Sequence, residues 1–285
     1  MLKFQKVAIV GVGLMGGSIG LALKKRKIAQ QVLGVGHQAE SLEKALASGA
    51  VDEVTSELGP ALEGAEVVIV ATPVALVADT LCRVAEIVPD AHLITDIAST
   101  KAAICAKVEQ QLSPDSPAAQ VFVGSHPLAG GHRTGPENAR ADLLDGRTVV
   151  VTPTDATPGT TIERAQALWQ ALGSRVVTLS PEGHDRALAT TSHLPHLAAA
   201  ALVAATPYEW LTLAASGWAD TTRIAASDPK LWTQIFVQNR VLVLESLERF
   251  IAQLRDLRED LTNEDWPQIQ NQLENAKRTR DALGN

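Results

Sequence analysis

Three groups of residues in this chain have the types and spacing needed to move a proton and a hydride between a small polar molecule and a dinucleotide. The first is His126, in Gly124-Ser125-His126-Pro127-Leu128-Ala129-Gly130-Gly131, at the end of an apolar run over 121–124. A histidine at a strand end, followed by proline and small residues, is poor core filler. A neutral imidazole there can accept a hydroxyl proton while hydride leaves the same carbon. The competing reading is a turn histidine bonded to backbone. The second group is Thr191-Ser192-His193-Leu194-Pro195-His196, with Gly183-His184-Asp185 just before it. A zinc site would need a third and a fourth ligand in suitable geometry. Only two histidines share the later motif, with Pro195 between them, so Ser192, His193 and His196 read as polar residues facing a substrate and no metal is expected. The third is Arg223, in Asp220-Thr221-Thr222-Arg223, which can hold a carboxylate with a two-pronged hydrogen bond. Asp220 could orient it; a surface ion pair with Asp220 or Asp228 is the alternative.

The dinucleotide half of the chemistry is written at the start of the chain. Gly11, Gly13 and Gly16 stand in G-x-G-x-x-G spacing between an apolar run at 7–10 and a helical pattern at 18–27. In such a strand–turn–helix, Gly11 makes the tight turn, Gly13 admits a pyrophosphate, and Gly16 lets helix and strand pack closely. Leu14 and Met15 lie within the turn and share the expected cofactor contact, and the helix N-terminus offers unpaired N–H groups to phosphate. Thr72 and Pro73 follow a fully apolar strand pattern at 66–71, at the binding edge of an open α/β sheet. The second strand, 31–36, would carry Asp or Glu at its end if it were built for the ribose hydroxyls of NAD. Gly36 stands there instead, followed by His37 and Gln38, with no carboxylate before Glu40. Nothing at Gly36 repels a 2′-phosphate, and a protonated His37 can pair with one. NADP is therefore favoured narrowly over NAD; a plain turn at Gly36 with NAD held by backbone is the alternative.

These residues need a scaffold, and the pattern supplies one. Strand signals at 91–97, 121–124, 148–151 and 175–178 alternate with helical patterns at 41–48, 74–88, 100–111 and 161–172, which predicts a Rossmann-type, doubly wound parallel sheet. Ser99 reads as the cap of the 100–111 helix, with Lys101 in its first turn. After Ser180-Pro181 only helical patterns follow, at 182–205, 208–216, 228–257 and 262–283. The expected division is a dinucleotide-binding domain, 1–180, and a helical substrate-binding and dimerisation domain, 181–285. The 228–257 pattern has apolar residues on more than one face, which predicts burial on several sides and a homodimer.

Composition narrows the class. The 285 residues are 46% hydrophobic and 20% charged, as in a globular protein with a large core. The formal net charge of −7 argues against nucleic acid or an anionic membrane as partner. No uninterrupted apolar run is long enough to span a bilayer, and the chain enters its first strand with no signal peptide, so a cytoplasmic location is expected. Cys82 and Cys105 are the only cysteines and read as reduced core thiols.

Taken together, the glycine turn, Ala71-Thr72-Pro73, Asp96-x-x-Ser99-x-Lys101, Gly124-Ser125-His126-Pro127-x-Ala129-Gly130, Ser192-His193-Leu194-Pro195-His196, and Asp220-Thr221-Thr222-Arg223-Ile224-Ala225 with Ser227-Asp228-Pro229 resemble the prephenate/arogenate dehydrogenase family of tyrosine biosynthesis. The resemblance runs over essentially the whole chain. It implies an NAD(P)-dependent oxidative decarboxylation in which ring C4 gives hydride to nicotinamide, His126 takes the C4 hydroxyl proton, and the ring carboxylate leaves as CO2. It further implies that Ser99 bonds the hydroxyl region and helps hold His126, that Arg223 binds a substrate carboxylate, and that His193 and His196 line the pocket. His132, in the pair after Gly130 where members differ, counts among the substrate-binding candidates. The chain departs from the family at Trp218-Ala219-Asp220, where a basic residue commonly precedes the aspartate, so one positive charge is missing near the substrate. Two rivals stand beside this reading. One is another Rossmann-plus-helical dehydrogenase acting on a hydroxy or imino acid; the other is a non-catalytic NAD(P)-binding protein.

Overall fold

The computed structural model describes residues 2–88, 90–113, 116–130 and 134–284. Eight strands form one sheet in the order β3-β2-β1-β4-β5-β6-β7-β8: β1 Phe4–Val10, β2 Ala29–Val35, β3 Glu53–Thr55, β4 Val67–Val70, β5 Leu93–Asp96, β6 Phe122–Pro127, β7 Thr148–Thr152 and β8 Arg175–Thr178. The apolar runs of β1, β4 and β5 lie in the middle of the sheet, where both faces are covered. All four residues of β4 are fully buried, and burial of such a side chain stabilises the fold by roughly 1.5–3 kcal/mol.

Helices cover both faces. On one side α1 (Leu14–Lys25), α2 (Ala39–Ala47) and α6 (Gly159–Ala171) pack Ile19, Leu23, Leu42, Leu168 and Trp169 onto the sheet. On the other, α3 (Val77–Ile87), α4 (Ala102–Gln111) and the short α5 (Pro117–Gln120) bring Val77, Leu81, Val84, Ile104, Val108 and Ala118. The doubly wound architecture is as expected. One pair departs from it: β6 and β7 are antiparallel, with His126 opposite Val150. Among the described residues between them no crossover helix forms, and the chain reverses. The return carries a short turn, Pro136–Asn138, and Arg140, whose N–H donates to Ser18 Oγ on α1.

The chain then becomes helical: α7 (Pro181–Leu188), a π-turn (Ala189–His193), α8 (Leu194–Ala204), α9 (Ser216–Thr222), α10 (Pro229–Gln238), α11 (Arg240–Thr262) and α12 (Trp266–Asp281). By length and composition alone, Pro181–Ala204 would suffice to cross a bilayer. It nevertheless carries His184, Asp185 and His193, all buried within the protein. The molecule divides into two compact units, Met1–Asn239 and Arg240–Asn285, the second being the α11–α12 hairpin.

Four local expectations need correction. Ser99 does not cap α4: the helix starts at Ala102 with Lys101 at the cap position, and no side chain of its own segment serves it. The cap comes from Asp185, distant in sequence. The single helix expected over 228–257 is interrupted at Asn239, whose buried side-chain amide donates to the Asp185 carbonyl and bonds His193 Nδ1. That residue satisfies other backbone instead of continuing its helix. The 208–216 segment is a 3-10 turn, Tyr208–Leu213, followed by α9. Finally, the apolar residues of the 228–257 region are not buried all round in the single chain: Ile235 and Val243 are, whereas Val237 and Val241 are 70% and 62% exposed.

Candidate active site

The carboxyl edge of the sheet opens into a cavity of about 1340 Å3. Gly11, Gly13, Leu14, Met15, Gly16, Gly36, His37, Thr72 and Pro73 line it, as do Ser99, His126, Ser192, His193, His196 and Arg223. The sequence-predicted site thus gathers around one cavity, with two exceptions. Asp220 is exposed on α9 and does not contribute to the lining. His132 lies outside the described residues.

The glycine turn fits a dinucleotide. Gly11 holds φ at +105°, and a Cβ there would strike the Ala71 carbonyl. A Cβ on Gly16 would overlap the Gly11 carbonyl, so strand and helix meet through bare backbone. At Gly13 a Cβ would meet nothing within 4 Å, because the space beyond it is the cavity itself. No side chain caps the N-terminus of α1, which leaves its N–H groups for a phosphate. Thr72 Oγ1 is buried on the same wall with no partner in the protein, a polar atom still owed a hydrogen bond. At the β2 end, Gly36 and His37 are joined by Gln38 and Ser41. Thr80, Arg83 and Glu57 also line this end and were missed from sequence. The available signal was the row Leu76, Thr80, Arg83, one face of the helix that leaves the β4 edge.

His126 stands at the other end of the cavity, buried but for an edge (9% exposed). Its Nδ1 lies 2.8 Å from His184 Nε2, and His184 Nδ1 lies 2.8 Å from Asp185 Oδ1. Asp185 Oδ1 also accepts from the Lys101 N–H, at 2.8 Å, and its Oδ2 from the Ala102 N–H, at 3.0 Å. A carboxylate accepting three N–H bonds has no proton to give. His184 therefore carries its proton on Nδ1 and presents a lone pair at Nε2. It follows that His126 carries its proton on Nδ1 and keeps a bare lone pair on Nε2. The tautomer comes from this accounting of donors and acceptors. The partner that holds His126 at Nδ1 is thus His184, a role the sequence did not disclose.

A second buried set fixes the strand end beneath His126. Lys101, fully buried, pairs with Asp96 and donates to the Ser125 carbonyl at 2.8 Å. Asp96 Oδ1 accepts from the Ser125 N–H, and the Ser125 hydroxyl is held between Thr95 Oγ1 and Trp169 Nε1. Burial pushes the His126 imidazole well below its ordinary pKa, and His184, Lys101 and His193 add to the shift. His193 is pushed down to about 4 by burial, although Asp185 opposes this. His196 is pushed down to about 4 by burial and by the Arg223 charge. Both rings are neutral near pH 7.

His196 stacks on Trp232, with centroids 3.4 Å apart, and His193 meets the same indole edge-on at 6.0 Å. Trp232 was also missed from sequence; it lies with Leu231 and Ile235 on the cavity side of α10. Asp228 caps α10 through the Lys230 N–H, and among the described residues no ion pair joins Arg223 to it or to Asp220. The helical side of the cavity thus offers the Arg223 guanidinium, two neutral histidines and an aromatic plate in the same cavity as the bare nitrogen of His126.

Comparison with known proteins agrees with this arrangement. A family model described as prephenate dehydrogenase, nucleotide-binding domain, matches residues 19–178, and one described as prephenate dehydrogenase, dimerization domain, matches residues 180–275. The prephenate dehydrogenase of Bacillus subtilis (strain 168) is 32% identical over 287 residues, covering 97% of this chain and 76% of that protein. The crystal structure of prephenate dehydrogenase from A. aeolicus in complex with hydroxyphenyl propionate and NAD+ superposes with a TM-score of 0.90 at 30% identity, over 99% of both chains. The structure of Synechocystis arogenate dehydrogenase gives a TM-score of 0.83 at 30% identity, over 98% of this chain and 100% of that one.

Proposed function

The chain belongs to the prephenate dehydrogenase family, and on that premise we propose how its residues divide the work. It is an NAD(P)-dependent oxidoreductase of tyrosine biosynthesis, which oxidatively decarboxylates prephenate to 4-hydroxyphenylpyruvate, arogenate to tyrosine, or both. The observation that carries our assignment of the base is the bare Nε2 of His126 on the cavity wall, fixed by His184 at the opposite nitrogen. His126 Nε2 takes the C4 hydroxyl proton, and Ser99 bonds the same oxygen. The dinucleotide, when bound, supplies the hydride acceptor. Loss of the ring carboxylate as CO2 makes the ring aromatic and draws the step forward.

The cofactor lies along Gly11, Gly13 and Gly16, with Leu14, Met15, Thr72 and Pro73 as its walls. Arg223 takes a substrate carboxylate in a two-pronged grip. His193, His196 and Ser192 bond the substrate as neutral groups, so its negative charge is met by Arg223 alone among the cavity-lining side chains assigned to substrate. The division at 180 separates these tasks: the sheet holds cofactor and base, and the helices hold substrate.

NADP is used at least as well as NAD in this reading, because Gly36, His37, Ser41 and Arg83 offer donors and the end of β2 itself carries no carboxylate, the acid lining that end being Glu57 from the turn after β3. The exposed apolar residues Val237, Val241, Leu254 and Leu273 support a homodimer formed through the helices, in the cytoplasm. A monomer by light scattering at micromolar concentration would overturn that assembly.

The test of the base is His126→Asn, followed by NAD(P)H formation with prephenate and with arogenate. Cofactor binding is retained and turnover falls by about 100-fold or more. A turnover within a few fold of the original removes His126 from this role.

A further inference from the structure

We infer that His184 and Asp185 are positioning residues that form a proton relay behind His126, with His184 receiving the Nδ1 proton of His126 while Nε2 takes the proton of the substrate. The inference rests on His126 being the base.

The geometry is collinear in function. Two imidazoles meet nitrogen to nitrogen at 2.8 Å, and the far nitrogen of the second meets a carboxylate at 2.8 Å. His184 is fully buried and Asp185 nearly so, at 1% exposure. The partner at one ring nitrogen is the base itself and the partner at the other is a carboxylate, the order a proton relay requires.

The charges around the pair favour the transfer. Facing His126 are Lys101 from the α4 N-terminus and His193 from the π-turn, both of which oppose a positive charge there. Asp96, on β5, is already paired with Lys101. Facing His184 is Asp185, whose carboxylate lies in direct contact with the ring. An imidazolium at His126 would be buried with no carboxylate touching it, whereas the same charge at His184 is next to one. Coulomb attraction at that separation is large when water is excluded. The low proton affinity of His126, set by burial, makes it a base that must hand its proton on.

The step balances. The substrate O–H bond breaks and an N–H bond forms at His126 Nε2. The Nδ1–H bond of His126 breaks and an N–H bond forms at His184 Nε2. The O–H electron pair becomes the second bond of the C4 carbonyl as the C4–H pair leaves as hydride to the oxidised nicotinamide of the established reaction. The bond to the ring carboxylate then breaks, its electron pair enters the ring and restores the C4 oxygen as a phenolate, CO2 departs and the ring aromatises. His184 holds one proton beside Asp185 until it returns through His126 Nε2 to that oxygen, giving the phenol.

The test uses single-turnover NAD(P)H formation by the wild-type protein, His126→Asn and His184→Gln, over a pH series and in H2O/D2O mixtures. Glutamine at 184 can still accept from His126 Nδ1, so it keeps the tautomer and removes the relay. The expected result is a curved, two-proton isotope dependence in the wild type and a linear one in His184→Gln. The variant also loses about tenfold or more in rate with KM within about threefold, and its acid limb moves to lower pH. A linear dependence in the wild type overturns the relay, whether or not the variant folds. So does an unchanged acid limb in a folded His184→Gln. If His126→Asn keeps its rate, the base assignment itself has failed; if it loses its rate while His184→Gln behaves as wild type, only the relay has failed.

Discussion

The carboxylate of Asp185 caps the helix that begins at Ala102, accepting the backbone N–H of Lys101 from 84 residues further along the chain. One side chain therefore joins the sheet half to the helical half at the catalytic end. The same carboxylate orients His184, and Lys101, at that capped position, props the Ser125 carbonyl beneath His126. Alignment of the base and the docking of α7 on α4 are one event.

Asp185→Ala removes the acceptor for three N–H groups at once, two of them in buried hydrogen bonds and one in a part-buried one. Each orphaned donor costs about 1–3 kcal/mol, so urea unfolding should show a loss of about 3 kcal/mol or more. A loss below about 1 kcal/mol would mean the cap contributes little to holding α7 on α4.

Arg223 is the one cavity-lining cation we assign to substrate, and among the described residues no acid forms an ion pair with it. Arg223→Ala should raise KM by about 30-fold or more, the scale of a lost charge-assisted contact worth about 2–3 kcal/mol, with a smaller effect on turnover. An unchanged KM for both prephenate and arogenate would remove Arg223 from the substrate site.

Gly36→Asp requires only a small adjustment, because a Cβ there comes to 3.3 Å from the side-chain end of Leu42 and to 3.8 Å from Val12. The new carboxylate would accept from ribose hydroxyls and repel a 2′-phosphate. Comparing kcat/KM for both cofactors, preference should move toward NAD by about tenfold or more, about 1.4 kcal/mol. A wild type that strongly prefers NAD, or a variant with an unchanged ratio, contradicts the NADP proposal.

His193 and His196 titrate at about 4 when folded, below the 6.5 of the free group. Both bind protons more readily in the unfolded chain. Their contribution to stability is thus constant above about pH 6.5 and falls as pH drops from there toward 4, and His126 acts in the same direction. Melting temperature should decline over that window, and His193→Asn should flatten the decline. A flat profile from pH 7 to 4.5 in the wild type would show that these rings are not held neutral.

The glycine turn, Thr72 after its strand, His126 at a strand end and the Ser192–His196 cluster were legible without a structure because their signals are local. Glycine spacing, an apolar run and a turn each reflect a few neighbouring residues, and the sheet edge where they meet follows from strand–helix alternation. The breaks and partners were not legible. The antiparallel return of β7, the interruption at Asn239, the capping of α4 by Asp185, the row that carries Arg83 and the plate of Trp232 under His196 all depend on contacts between distant segments. His184 shows the limit most clearly: its motif was visible, but its two partners come from β6 and its own neighbour, and only the docking of α7 on the sheet brings β6 within reach. A hydrogen bond needs its atoms within about 3 Å, and chain order does not constrain which distant groups packing will bring that close.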